Sequence, residues 1–246
     1  MAGKSLGIFI PAYNAEKTLD EVFARIPPQI RSKARIVVID DASKDGTSAV
    51  ARKNKAEVIR HPQNKGYGAA QKTAFDWAIR NGIRTLVMLH ADAQYAPEEM
   101  PGLIKPVEEG RADIVLGSRI LGGKALEGGM PVYKLIGNYA LTMMENLAFG
   151  TKIAEFHTGY RVFSVPAIAR IPYKLNSDKY IFDSEILVQA NDNGLRILEL
   201  PIPTRYRSEI SYLDPVKYGM GILGIVKKYL LHRIGLKKYP QFSRTI

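Results

Sequence analysis

The chain of 246 residues contains no cysteine. Disulfide bonds and thiolate metal sites are therefore excluded, and a reducing compartment such as the cytoplasm is compatible with the composition. Long apolar runs are also missing, because the longest stretch without Asp, Glu, Lys or Arg covers 11 residues, 5–15. A membrane-spanning helix needs about 18–20 such residues. We therefore expect a cytoplasmic protein that at most lies on the cytoplasmic face of a membrane.

Positive charge is in excess, with a formal net charge of +11. From Pro201 onward nine Lys and Arg stand against two Asp and Glu, whereas the first 200 residues are nearly balanced at 26 against 22. This basic end favours an anionic partner, although a solvated tail is the alternative. The basic residues lack interleaved aromatic residues that would stack on bases, so we do not expect nucleic-acid binding.

The hydrophobic pattern alternates between strands and helices in the first half of the chain. It predicts strands at 5–10, 34–40, 57–60, 84–90 and 112–118, separated by helices at 16–25, 46–54, 68–81 and 97–109. This order indicates βαβ units and a mostly parallel, Rossmann-like α/β sheet with helices on both faces. Further helices at 133–149 and 182–193 and a strand at 195–200 follow. We expect one domain (1–213), in which strands and helices alternate regularly in the first half (1–119) but not in the second (120–213). A basic helical tail (214–246) follows.

Polar segments follow the ends of three predicted strands: "PAYN" (11–14), "DDASKDGT" (40–47) and "HADAQ" (90–94). Ligands of parallel sheets bind beyond the carboxyl ends of the strands. Ser43 and Asp45 suit a turn and a helix cap, whereas Asp41 is placed to accept hydrogen bonds from a base or ribose. Glycines at 66 and 68 precede a helix whose first N–H groups could hold an anion.

The segment "HADAQ" presents His90, Asp92 and Gln94 at alternate positions. In an extended segment these side chains would face one way. Carboxylate, amide oxygen and imidazole are suitable ligands for Mg²⁺ or Mn²⁺ bridging a diphosphate. The alternative is a turn with Asp92 as a helix cap, but Pro97 already suits the first turn of the next helix. The pattern favours the metal site.

These segments, together with "NKGYGAA" (64–70), "VLGSR" (115–119) and "TGYR" (158–161), occur in the order and approximate spacing of glycosyltransferase family 2. Over residues 5–210 the chain resembles the dolichol-phosphate mannose synthase and dolichol-phosphate glucose synthase branch. The resemblance implies a GT-A fold, a nucleotide-sugar donor, Mg²⁺ or Mn²⁺, and inversion at the anomeric carbon. The chain departs from the family at His90, where its D-x-D motif begins with aspartate, so the choice of metal stays open.

The resemblance also implies roles for individual residues. Asp92 and Gln94 would bind the metal, with His90 as a third ligand, and Arg119 would contact the donor phosphates and assist departure of the leaving group. The positions that match the nucleotide-sugar contacts of the family are Pro11, Tyr13, Glu16, Asp41, Ala91, Asp92 and Arg119.

The acceptor end leaves alternatives open. We expect transfer of a hexose from a GDP-mannose or UDP-glucose type donor to a polyprenyl phosphate, captured by Arg205 and Arg207, although both could be surface residues. Transfer to a hydroxyl of a glycan or small molecule would instead need a general base, Asp183 or Glu185. Two residues apart on a helix, these carboxylates cannot face the same direction. His157 would lie near the sugar or form a hydrogen bond in the core.

A basic, apolar-rich helix is predicted at 214–239. Leu223, Val226, Leu230 and Ile234 share one stripe, which would pack on the domain or lie on an anionic bilayer. A different class of function is a nucleotide-binding module that has lost transferase activity. The replacement of the first aspartate of the D-x-D motif by His90 would then be a consequence of that loss.

Overall fold

The computed structural model describes residues 5–123, 125–203 and 214–245. The strands are β1 (Leu6–Ala12), β2 (Ala34–Asp40), β3 (Glu57–Arg60), β4 (Thr85–Met88), β5 (Ile114–Ser118), β6 (Arg161–Ser164) and β7 (Ile197–Pro201). They form one sheet in the order β3-β2-β1-β4-β6-β5-β7. Only β6 runs antiparallel to its neighbours, β4 and β5. The predicted single-domain α/β architecture with a mostly parallel sheet is confirmed.

Helices cover both faces of this sheet because successive side chains of a strand point to opposite sides. In β1, Phe9 belongs to one hydrophobic cluster, while Ile8 and Ile10 belong to the other. The helices are α1 (Glu16–Arg25), α2 (Pro28–Lys33), α3 (Thr47–Lys53), α4 (Tyr67–Arg80), α5 (Met100–Glu108), α6 (Val132–Phe149), α7 (Val165–Ile168), α8 (Phe182–Asp192) and α9 (Pro215–Arg233). The first cluster includes residues of α4, α6, α8 and α9, and the second includes residues of α1, α3 and α5.

Several elements differ from the sequence prediction, among them the short unpredicted helix α7. Strand β6 was not predicted, because four residues inserted antiparallel between two other strands give too short a pattern to detect. The short helix α2, which starts at Pro28, was also not predicted. The strand predicted at 84–90 ends at Met88, and a turn follows at 91–92.

Helix α9 is an integral part of the domain and also carries an outward apolar stripe. Ile222, Ile225 and Tyr229 are buried in the core shared with α6 and α8. Val226 of the predicted stripe is also buried there, whereas Leu223 and Ile234 are 54% and 67% exposed. Most of the stripe therefore lies outside the packing face of the helix. Among the helices of the described residues, none is long and apolar enough to cross a membrane.

The loops after β1 and β2 are tied to each other at the carboxyl edge of the sheet. The backbone N–H of Asn14 donates to Ser43 Oγ (2.9 Å), and the N–H of Lys44 donates to Asn14 Oδ1 (2.8 Å). Behind them the fully buried Asp40 accepts hydrogen bonds from the Ser43 N–H (2.8 Å), the Ser48 hydroxyl and Arg60 Nη1 (3.2 Å). The carboxylate of Asp40 thus fixes the loop that leads into α3.

We expect Asp40→Asn to destabilise the fold. Burial alone would raise the pKa of Asp40, but the bonds from Ser43 and Ser48 and the charge of Arg60 outweigh it, so the pKa lies below its usual value. A depressed carboxyl pKa stabilises the folded state above the unfolded-state pKa, and this contribution is lost as the pH falls through the folded-state pKa. The variant should lose about 1–3 kcal/mol of unfolding free energy at pH 7. Its unfolding free energy should also change less than that of the wild type as the pH is lowered.

Urea unfolding between pH 3 and pH 8 measures both effects. Asp20→Asn is the control, because Asp20 also accepts side-chain hydrogen bonds but is exposed on α1, so it should unfold nearly as the wild type does. Equal stability of Asp40→Asn and wild type at neutral pH would show that the buried carboxylate does not hold this loop.

Candidate active site

The segment His90–Gln94 forms a turn beyond β4. Ala93 adopts a left-handed backbone conformation (φ 59°), and Asp92 Oδ1 accepts a hydrogen bond from the Gln94 N–H (3.1 Å). Aspartate commonly closes turns by such a bond to a backbone N–H two residues further on. The prediction that His90, Asp92 and Gln94 alternate along an extended strand is therefore wrong, although all three residues belong to this turn and are half-buried.

Helix α1 holds the turn in place. The Thr18 hydroxyl donates to the carbonyl of the buried Ala91 (2.6 Å), and Arg25 donates to the carbonyls of Ala93 (3.0 Å) and Tyr95 (3.2 Å). Because the backbone oxygens are satisfied in this way, the turn is a fixed support for its side chains. Neither Thr18 nor Arg25 was predicted to take part in the site.

His90 is fixed by aromatic neighbours and a glycine. Its Nε2 lies 3.0 Å from the Tyr67 hydroxyl, and its ring meets Tyr95 edge-on at 5.1 Å between centroids. A Cβ on Gly159 would lie 2.3 Å from His90 Nε2, so the imidazole occupies space that only glycine leaves open. Burial lowers the pKa of His90 against the opposing influence of Asp92 and Asp183, which keeps the imidazole neutral.

Asp183, at the start of α8, is linked to His90 through Tyr67. Asp183 Oδ2 accepts a hydrogen bond from the Tyr67 hydroxyl (3.2 Å), and Oδ1 accepts one from Gln71 Nε2 (2.8 Å). The fully buried Arg161 lies 3.4 Å from Oδ1 and donates to the Asp183 carbonyl (3.0 Å). Burial, followed by the charge of Asp183, raises the pKa of Tyr67 well above its usual value. The hydroxyl therefore remains a proton donor.

Glu185 lies in a different environment from Asp183. Its Oε2 accepts from the Ser177 N–H (2.6 Å) and its Oε1 from Gln241 Nε2 (3.0 Å), so it ties α8 to a loop and to the C-terminal segment. Burial raises the pKa of Glu185 above its usual value. This geometry gives no support to the expectation that Glu185 acts as a general base.

Arg119 follows β5 and forms an ion pair. Its Nε and Nη2 both bind Glu155 Oε1, at 2.8 Å for Nε, and Nη2 also donates to the His157 carbonyl (3.2 Å). Its guanidinium lies over Tyr95, 5.6 Å from the ring centroid. The ring of Tyr95 therefore separates Arg119 from His90. A contact of Arg119 with donor phosphates would have to compete with its ion pair to the buried Glu155.

Asp41 anchors the loop that precedes α4. Its two oxygens accept the N–H groups of Lys65 and Gly66 (both 2.8 Å), and Oδ1 lies 2.7 Å from His61 Nδ1. A nucleoside contact by Asp41 would have to use the lone pairs that remain. The carboxylate also holds in place the residue immediately before Tyr67.

The start of α4 does not form the anion site that the glycines suggested. The N–H groups of Gly68 and Ala69 donate to the Asp178 carbonyl (2.9 and 3.3 Å). A Cβ on Gly68 would lie 2.3 Å from the Ser177 carbonyl oxygen. These glycines therefore allow a close approach of the 177–179 loop, and the anion-site interpretation is wrong.

Pro11, Tyr13 and Glu16 lie at the carboxyl end of β1, beside the loop that follows β2. Pro11 and Tyr13 are half-exposed, and Glu16 Oε2 accepts a hydrogen bond from the Gly46 N–H (3.0 Å). The structure thus collects the residues proposed to contact the nucleoside at one edge, next to Asp41. Arg205 and Arg207 lie outside the described residues.

His157 forms part of a buried polar group. Its Nδ1 lies 2.8 Å from the Tyr218 hydroxyl and its Nε2 3.2 Å from Glu145 Oε2. Burial lowers the pKa of His157 to about 3 and raises that of Glu145 to about 8. Both side chains are therefore mostly uncharged at neutral pH, which fits the second alternative for His157, a hydrogen bond in the core.

The donor atoms at the turn fit a divalent ion that is completed by a substrate. Within residues 5–123, 125–203 and 214–245, no group of three or more His, Asp or Glu side chains could hold a metal by itself. Asp92 uses one oxygen for the Gln94 N–H, and His90 is a neutral imidazole. Mg²⁺ and Mn²⁺ accept such ligands and commonly take others from a substrate diphosphate.

Several residues that build this site were not predicted, among them Tyr67, Tyr95 and Arg161. The only sequence signal was their position in or beside conspicuous segments: Tyr67 in "NKGYGAA", Tyr95 directly after "HADAQ" and Arg161 at the end of "TGYR". Their contacts join residues distant in the chain, such as Tyr67 with Asp183.

Comparison with known proteins agrees with this geometry. The family model described as Glycosyl transferase family 2 matches residues 7–171. The UDP-N-acetylglucosamine--dolichyl-phosphate N-acetylglucosaminyltransferase of Methanococcus voltae is 33% identical over 223 residues, which cover 84% of this chain and 88% of that protein. The polyprenol monophosphomannose synthase of Mycolicibacterium smegmatis is 30% identical over 205 residues, 79% of this chain and 75% of that protein.

The fold is also found in solved structures. Glucosyl-3-phosphoglycerate synthase from Mycobacterium tuberculosis, in complex with Mn²⁺, UDP-glucose and phosphoglyceric acid, superposes with a TM-score of 0.70 at 20% identity. The match covers 96% of this chain and 82% of that chain. The predicted GT-A fold is thereby confirmed, and the structure of that relative contains Mn²⁺ together with its nucleotide sugar.

We expect Asp92→Asn to weaken metal-dependent binding of a nucleoside diphosphate at least about tenfold, because an amide is a poorer ligand for a hard cation than a carboxylate. Titration calorimetry with UDP and with GDP, with and without Mn²⁺, measures the change. Asp113→Asn is the matched control, since Asp113 pairs with Arg196 just before the amino end of β5, at the edge of the sheet opposite the turn. Unchanged Mn²⁺-dependent affinity in Asp92→Asn would place the metal elsewhere.

Proposed function

The chain belongs to glycosyl transferase family 2, and from this we propose that it moves a hexose, with inversion, from a nucleoside diphosphate sugar to a polyprenyl phosphate at a membrane surface. The observation that carries the proposal is the contiguous row of His90, Tyr67 and Asp183, which joins the turn beyond β4 to the start of α8. The relatives named for dolichyl-phosphate and polyprenol substrates support the choice of acceptor.

The donor is proposed to lie across the carboxyl edge of the sheet. Pro11, Tyr13 and Asp41 would contact the nucleoside, and Asp92 with His90 and Gln94 would meet the diphosphate through Mg²⁺ or Mn²⁺. The bound ion would neutralise the charge that develops on the leaving diphosphate. The α1 contacts to the turn keep these ligands in place before the donor arrives.

A phosphate acceptor fits the state of Asp183. In the proposed reaction an acceptor phosphate oxygen forms the new bond to the anomeric carbon, while the bond from that carbon to the β-phosphate oxygen breaks. The electron pair of the broken bond leaves with the nucleoside diphosphate, and attack from the opposite face gives inversion. No proton has to be removed, so no general base is needed. Asp183, surrounded by the donors Tyr67, Gln71 and Arg161, is better suited to positioning than to proton transfer.

We expect Mn²⁺-dependent transfer to polyprenyl phosphate and none to the corresponding polyprenol. The measurement uses purified protein, detergent-dispersed acceptors and a panel of GDP- and UDP-sugars, with the anomeric configuration of the product read by NMR. Transfer to a hydroxyl acceptor alone would favour the general-base alternative. If the protein binds no nucleotide sugar, both transfer to a phosphate and transfer to a hydroxyl are excluded.

Helix α6 offers a surface for contact with a membrane. Its outward residues are uncharged and apolar, with exposed fractions from 51% for Tyr139 to 88% for Leu147. A contiguous exposed apolar stripe of this length is typical of a surface that contacts a partner or a membrane. The stripe consists of Val132, Tyr133, Ile136, Tyr139, Met143 and Leu147.

An anionic bilayer is the partner that the charges favour. Helix α9 packs against α6 and exposes Leu223 and Leu230 together with Lys227, Lys228 and Arg233. Apolar side chains beside lysine and arginine are typical of helices that lie in the headgroup region of anionic membranes. A polyprenyl phosphate resides in such a membrane, so the same surface would bring the acceptor to the site.

We expect the double variant Met143→Glu/Leu147→Glu to lose binding to vesicles that contain anionic phospholipid, because charge replaces apolar contact. Flotation of protein with vesicles measures it, and Leu175→Glu is the control, since Leu175 is 53% exposed away from α6. A wild-type dimer that the double variant dissociates, with no flotation of either, would instead assign the stripe to a second copy of the chain.

A further inference from the structure

Histidine at position 90 changes what the turn can offer to a ligand. An aspartate presents two equivalent oxygens, whereas a neutral imidazole presents one bare nitrogen and one N–H. The position of the proton therefore decides which side of the ring can bind a cation. The contacts of His90 determine that position.

The hydrogen of the Tyr67 hydroxyl has three acceptors within reach, of which the weakest is the thioether sulfur of Met88 at 3.7 Å. Asp183 Oδ2 lies 3.2 Å from the hydroxyl oxygen and His90 Nε2 lies 3.0 Å from it. Asp183, facing the cation of Arg161 and the amide of Gln71, is a carboxylate and can only accept. Tyr67 therefore donates to Asp183, and its oxygen accepts the N–H of His90 Nε2.

We propose that Tyr67 and Asp183 are positioning residues that hold His90 as the Nε2–H tautomer, so that Nδ1 is the bare nitrogen presented to the donor's divalent cation. Tyr67 and Asp183 then act on the cation only through His90. The cation itself rests on the proposed function, whereas the tautomer is a property of the free protein. Metal-binding histidines commonly have their second nitrogen oriented by an acceptor in this way.

The tip of the His90 ring packs closely against the backbone. The Nε2 and Cε1 edge of His90 lies against Gly159, where an added Cβ would come within 2.4 Å of either atom. The N–H of Gly159 is itself bound to the Tyr95 hydroxyl (2.7 Å), and Tyr95 meets the imidazole edge-on. No residue in the described part of the chain donates a hydrogen bond to Nδ1. The hydrogen bond to Tyr67 is therefore the contact that selects the tautomer.

This arrangement also brings a negative charge near the position at which an aspartate would have supplied one. The carboxylate of Asp183 stands behind Tyr67, two hydrogen bonds from His90 Nδ1 across the ring, and polarises the imidazole toward the cation. The metal end of the site and the start of α8 are thus coupled through a single hydroxyl.

The tautomer can be read directly in the metal-free, substrate-free protein. Long-range ¹H–¹⁵N spectra of ¹⁵N-histidine protein cover four histidines, which single substitutions assign. We expect His90 with a protonated Nε2 and a bare Nδ1 in the wild type, and a mixture of tautomers in Tyr67→Phe. Tyr95→Phe is the matched control, since it keeps the ring contact and its hydroxyl binds Gly159 instead. A bare Nε2 in the wild type, or an unchanged spectrum in Tyr67→Phe, overturns the proposal.

Metal affinity supplies the second readout. Electron paramagnetic resonance of Mn²⁺ with UDP or GDP should show binding about 10–100-fold weaker in Tyr67→Phe than in the wild type. In a His90→Ala background, Tyr67→Phe should have little further effect, because the two residues act in series. Equal losses in both backgrounds would assign Tyr67 a merely structural role. Thermal unfolding followed by circular dichroism confirms that each variant is folded.

Asp183→Asn provides an independent variant, because its amide can donate to Tyr67 and so release the tyrosine hydrogen to His90. The fraction of bare Nε2 in His90 should rise. An unchanged tautomer of His90 in Asp183→Asn would show that Asp183 does not determine it. If the tautomer behaves as expected but the wild type binds no nucleoside diphosphate, the proposed function fails and the inference about His90 stands.

Discussion

The hydroxyl of Tyr67 is the contact on which the arrangement of the site depends. It lies between the turn beyond β4 and the start of α8, two segments about ninety residues apart in sequence, and it binds a side chain from each. Tyr67 is itself placed by Asp41, whose carboxylate captures the N–H groups just before α4. Asp41 at the end of β2, the turn at 90–94 and the start of α8 are therefore linked through one short series of hydrogen bonds.

Buried charges elsewhere in the domain serve the same purpose, because a desolvated ion needs partners and so fixes whatever supplies them. Arg161 donates to the carbonyls of Phe156 and Thr158 as well as that of Asp183, which ties the loop before β6 to α8. Glu155 binds both the backbone N–H and the guanidinium of Arg119. The active-site loops are thus held by ion pairs, which leaves the apolar core to the sheet and its helices.

The surface follows a different rule. Helices α6 and α9 pack on the domain with one face each and expose a group of apolar residues on the other, a pattern typical of surfaces that contact a partner or a membrane. These exposed residues do not contribute to the packing of the fold. The proposed lipid-bound acceptor would account for them, because an enzyme that uses it must reach a phosphate that cannot leave the bilayer.

The sequence by itself determined the alternation of strands and helices, the carboxyl-edge location of the polar segments and the family, because periodicity and short motifs are local properties. It could not determine that the segment 90–94 is a turn, since one side-chain bond from Asp92 and a left-handed Ala93 override the strand pattern. Only the tertiary structure decided that Asp183 rather than Glu185 contacts Tyr67, that Arg119 pairs with Glu155, and that Tyr67 joins the turn to α8. Each depends on which distant group lies within hydrogen-bonding distance, and that is fixed when the sheet order brings β4, β6 and α8 together.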